Sequence, residues 1–89
     1  MALICMVSYA DDVAQCKLDA NSYVVASQPT GGTTVTLTGY GECANCTVVV
    51  VAKSSYGTET KAVKIVNGSG TCTFSVGYRL VEAKNIVCN

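Results

Sequence analysis

The sequence predicts an all-β protein, a small sandwich of about six or seven antiparallel strands over residues 21–89, with residues 1–20 as an N-terminal arm or first strand. Three observations carry this expectation. From residue 21 onward, apolar and threonine side chains alternate with a period of two, the mark of half-buried strands. Turn clusters rich in glycine and asparagine interrupt that alternation at roughly regular intervals. The chain has 89 residues, 49% of them apolar, which suits one domain around one core.

The elements follow in order. Ala2 to Val7 is a short apolar run. Asp11 and Asp12 are placed to cap one or two helical turns through Leu18, unless the segment is a first strand and turn. A sharper alternative is an arm that adds a strand to a neighbouring subunit. Ser22 to Ser27 is β-branched and aromatic, and it stops at Gln28-Pro29-Thr30-Gly31-Gly32. In Thr33 to Tyr40, Val35 and Leu37 face one way and Thr34, Thr36 and Thr38 the other. Four consecutive valines, Val48 to Val51, predict a central strand covered on both faces. Thr60 to Val66 turns Val63 and Ile65 inward. Asn67-Gly68 tolerates the positive φ of a tight hairpin. A strand over 71–80 then places Cys72, Phe74, Val76, Tyr78 and Leu80 on one face, and 81–88 is the last strand.

Between Ser27 and Val76, the stretches S-Q-P-T-G-G-T-T-V-T-L-T-G-Y-G, V-V-V-V-A-K and V-K-I-V-N-G-S-G-T-C-T-F-S-V resemble an immunoglobulin-like domain of the bacterial and phage surface type. The likeness covers a little over half the chain. It implies an immunoglobulin-like sandwich of the kind found in decoration or cement proteins of tailed-phage heads. Val35 and Leu37 stand where antibody domains keep a cysteine, and the chain has no tryptophan. The antibody-type disulfide and antibody-like binding loops therefore do not carry over.

Composition removes whole classes of chemistry. Without histidine there is no Ser-His or Cys-His nucleophile pair and no His-ligated zinc. Six basic residues balance six acidic ones, so no nucleic-acid partner is expected. No apolar run approaches the ~20 residues of a spanning helix, and no membrane partner is expected. Charged residues are 13% of the chain, about half the usual ~25%, which suits a protein whose faces are covered by neighbours. Gly39-Tyr-Gly41-Glu-Cys-Ala44 matches a dinucleotide fingerprint in form, but the valine strand behind it is a poor helix start. No cofactor and no catalytic residue is expected.

The six cysteines hold the remaining information. Such density is usual in disulfide-stapled extracellular domains, yet no Lys or Arg precedes the first apolar run as a secretory signal requires. Cys43-Ala-Asn-Cys46 lies between strands and not at the start of a helix, which argues against a thioredoxin-like redox pair. Cys43, Cys46, Cys72 and Cys88 could jointly bind zinc, although the second pair lacks tight spacing. The leading expectation is disulfides among these four, with Cys72 to Cys88 one feasible bond if strands 71–80 and 81–88 are antiparallel neighbours. Cys5 and Cys16 are candidates for links between subunits. A virion reconciles synthesis without a signal with later oxidation. The expected protein is thus a capsid decoration protein on a virion surface, bound to major capsid or other lattice subunits and to its own copies. An extracellular fibre or surface layer is the alternative, and a small four-cysteine zinc or redox protein the third reading.

Overall fold

The computed structural model describes residues 13–88 and, along the backbone alone, residues 4–8. Those residues form eight strands and no α-helix. β1 (Ile4–Ser8), β2 (Val13–Lys17), β3 (Tyr23–Ser27), β4 (Thr34–Tyr40) and β7 (Ser69–Thr73) build one antiparallel sheet in that order. β6 (Gly57–Lys64), β5 (Cys46–Ser54) and β8 (Arg79–Cys88) build a second, with β5 at its centre. Buried side chains from both sheets form one core, which makes the fold a small β-sandwich.

The period-two pattern explains which face each strand buries. Val35 and Leu37 of β4 are completely buried, whereas Thr34 and Thr36 face solvent. The outer face is a hydroxyl ladder, with Thr34, Thr36 and Thr38 opposite Thr73, Thr71 and Ser69 of β7. Val48 and Val50 of β5 point into the core, Val51 is buried as well and Val49 is half-buried, as a central strand requires. Val63 and Ile65 close the same core.

One open pair of alternatives is decided, and two expectations need correction. Residues 13–17 are strand and not helix, because Ala14 and Cys16 alternate with half-buried or exposed neighbours and pair with β3. Asp11 and Asp12, read as caps, lie outside the described residues. The N-terminal segment pairs within this chain, β1 against β2, and so extends the sandwich's own sheet. Finally, 71–80 is not one strand. β7 ends at Thr73, and the amide of Tyr78 donates to the Ser75 carbonyl across a turn containing Gly77 at φ 89°. The chain there crosses from one sheet to the other and leaves Val76 exposed.

The Asn67-Gly68 turn has the positive φ values the sequence suggests, 53° and 85°, but it closes only one bridge, Val66 to Ser69. Beyond that bridge its arms belong to opposite sheets.

One buried polar side chain fastens the crossing. Gln28 is fully buried, and its Nε2 donates to the carbonyls of Gly32 (2.8 Å) and Tyr78 (3.0 Å). Its Oε1 accepts from the amide of Leu80 at 2.7 Å. Arg79 adds bonds to the carbonyls of Gly32 and Pro29. These contacts join the end of β3 to the start of β8, some fifty residues apart in sequence. Each buried group left without a partner costs about 1–3 kcal/mol. Gln28→Leu is therefore expected to lower unfolding free energy by about 2–4 kcal/mol in urea titrations, despite its greater hydrophobicity. A change near zero would contradict this role.

Candidate functional site

The chemistry-bearing residues gather where β4 hands the chain to β5. Gly39 sits at the end of β4, where a β-carbon would fall 2.1 Å from the Cys43 carbonyl oxygen. Gly41 has φ 62°, and a β-carbon there would meet the Asn21 carbonyl at 2.3 Å. These glycines let a five-residue 3-10 segment, Gly41–Asn45, fold tightly against the β2–β3 turn. They serve close backbone packing, and the short 3-10 segment leads straight into a strand, so the dinucleotide-like spacing lacks the helix it needs. Ser22 Oγ accepts from the Glu42 amide at 3.1 Å, and Asp19 Oδ1 accepts from the Asn21 and Ser22 amides.

The 3-10 segment delivers Cys43 to a position beside a disulfide. Cys46 and Cys88 face each other across the β5–β8 ladder, with Cα atoms 4.1 Å apart, and they are bonded. Cys43 is a free thiol, fully buried, with its sulfur 3.9 Å from Cys88 Sγ. All three sulfurs lie within 4.8 Å of one another. Burial first, then the carboxylates of Asp19 and Glu42, push the Cys43 thiol above its ordinary range. Beside the cluster opens a cleft of about 570 Å³, lined by Leu18, Gly41, Glu42, Ile86, Val87 and Cys88.

The sulfur pairing thus differs from the expected Cys72–Cys88 bond. Cys72 stands on β7, opposite Val35 of β4 in the five-stranded sheet, and its thiol is free. Strands 71–80 and 81–88 were expected to be neighbours, but the crossing at Gly77 separates them and gives Cys88 to Cys46. The same separation removes Cys72 from the four-cysteine zinc set. Cys16 is fully buried and disulfide-bonded, so it offers no thiol to another subunit. The backbone of Cys5 lies directly across from it in the β1–β2 register. Of the four disulfide candidates Cys43, Cys46, Cys72 and Cys88, only Cys46 and Cys88 are bonded, and Cys43 and Cys72 are free thiols. That bond depends on β8 pairing with β5.

Tyr23 and Tyr40, opposite each other on β3 and β4, stack at 4.7 Å between ring centroids. On the far side, Glu59 accepts from the amide and hydroxyl of Ser75, which hold its carboxyl below the usual range, and Lys61 lies over the Phe74 ring. No family model, curated protein or solved structure matches the chain.

The sulfur geometry disfavours internal exchange. Displacement of Cys46 from Cys88 needs the Cys43 sulfur in line with the Cys46–Cys88 bond, whereas the three sulfurs form a compact triangle within 4.8 Å. Because the raised Cys43 thiol stays protonated at neutral pH, the Cys46–Cys88 bond persists there. Peptide mapping after acid quench should find Cys88 linked to Cys46 and not to Cys43. A Cys43–Cys88 link as the main species at neutral pH would contradict this arrangement. The Cys46–Cys88 bond spans 42 residues, and chain-entropy arguments assign such a loop about 4 kcal/mol. Replacing Cys46 and Cys88 together with alanine should lower stability by about 2–5 kcal/mol in urea titrations.

Proposed function

We propose that this chain is a non-enzymatic structural component of a virion, a decoration or cement protein that clamps neighbouring capsid subunits and copies of itself. The observation that carries the proposal is a contrast among the sandwich's four sheet edges. β6 bears Glu59, Lys61 and Lys64, and β8 bears Arg79, Glu82 and Lys84 together with two register shifts. Charges and bulges of this kind keep an edge from pairing with other chains. β7 is as short as β1 and equally uncharged, but it is polar, bearing Ser69, Thr71 and Thr73. β1 differs from these three. It is an edge of the five-stranded sheet, and its sequence, Ile-Cys-Met-Val-Ser, contains neither charge nor proline. An uncharged apolar edge is a template for strand addition by a neighbour.

Two further features support the reading. β3-β4-β7 facing β6-β5-β8 follows the strand order A-B-E over C′-C-F of immunoglobulin-like sandwiches, with β1 and β2 added at one edge. This order agrees with the resemblance to phage surface modules. The Cys46–Cys88 staple suits a surface made in reducing cytosol and oxidised after release, and disulfides persist on virion surfaces. Such a protein stabilises a shell by binding only its assembled form.

The test is gradient fractionation of particles with Met6→Lys and Val7→Lys variants, which introduce a charge at two successive positions of β1. At least one variant is expected to stop co-migrating with intact particles while its far-ultraviolet circular dichroism stays unchanged. Two variants that assemble like the unaltered chain would overturn the edge as docking site. Recovery in filaments without particles would assign the protein to an extracellular fibre instead.

A further inference from the structure

We propose that, once the Cys46–Cys88 bond is reduced, Cys43, Cys46 and Cys88 form a three-thiolate site for a soft divalent cation of the zinc class. Cys43 motivates this reading, because a staple needs only two cysteines. Its thiol is fully buried, 3.9 Å from Cys88 Sγ, with Cys46 Sγ in the same 4.8 Å cluster. A Zn–S bond of about 2.3 Å sets the sulfurs of a shared zinc roughly 4 Å apart, which is the spacing Cys43 and Cys88 already hold. The Cys46–Cys88 pair must open by side-chain rotation after reduction, and Cys43 and Cys46 already lie within 4.8 Å of each other.

Charge points the same way. The Asp19 and Glu42 carboxylates that disfavour a bare thiolate at Cys43 favour a cation among these sulfurs. The adjoining cleft is lined by both Glu42 and Cys88, and it leaves room for a fourth ligand, either water or the Glu42 carboxylate. Cys72, on the other sheet, takes no part.

The steps balance with a dithiol or phosphine as reductant. Two electrons and two protons convert the disulfide to two thiols. The cation then displaces three protons to leave a tris-thiolate complex. A disulfide oxidant of the glutathione type takes two electrons from the Cys46 and Cys88 thiolates and becomes two thiols, which leaves Cys43 alone and releases the metal, so the two states exclude each other. The inference is independent of the proposed docking edge, and either can fail alone.

Cadmium serves as the probe, added under anaerobic conditions to chain reduced with a phosphine. One equivalent is expected to produce the sulfur-to-cadmium charge-transfer band in the ultraviolet. Cys43→Ser should weaken binding by about tenfold or more, whereas Cys72→Ser binds like the unaltered chain and the oxidised protein gives no band. Equal binding by Cys43→Ser, or no band from reduced chain, would overturn the site. Should reduction unfold the protein, cadmium is expected to restore its strand signal in circular dichroism. Failure to restore it would equally sink the proposal.

Discussion

The close approach of Gly39 to the Cys43 carbonyl is the constraint on which this architecture turns. No side chain fits between them, so the chain can leave β4, make one compact 3-10 segment and enter β5 in the opposite sheet within a few residues. Three backbone hydrogen bonds close the same corner: Gly39 to Gly68, Gly68 to Ala44, and Ile65 to Cys46. The turn after β6 is thereby sewn to the start of β5. A larger residue at position 39 would push Cys43 outward and disturb the crossing together with the sulfur cluster.

Much of this fold is legible from residue order alone. Alternation in 33–40 and the valine run in 48–51 identify β4 and a central β5, because burial on one face or two leaves a direct imprint on side-chain type. Local patterning says less about where a strand changes sheet. Residues 71–80 keep a clean alternation on paper, yet Gly77 breaks it, and the partner of each half lies far away in sequence. The expected Cys72–Cys88 bond followed from that missed break. Val13–Lys17 shows the complementary failure. Its composition permits either a helical turn or a strand, and pairing with β3 decides the matter.

The candidate site was half visible. Cys43 and Cys46 stand out by spacing, and the reading of that loop as strand-flanked holds in space. Cys88 enters only through long-range pairing. The result combines a structural bond with a spare buried thiol, a pairing that a purely mechanical staple does not require. Environment keeps the thiol quiet, since burial and two carboxylates oppose its ionisation. Stability and latent reactivity therefore share one small volume at the end of the sandwich.

The position of the Cys46–Cys88 link also sets how the domain bears load. Tension applied beyond Cys88 cannot unzip β8 from that terminus, because the covalent tie passes the pull directly to the first residue of β5. Everything between the two cysteines is shielded from stretching. Extension must instead begin among β1 to β4, the strands that precede Cys46, while β7 stays inside the closed loop with the second sheet.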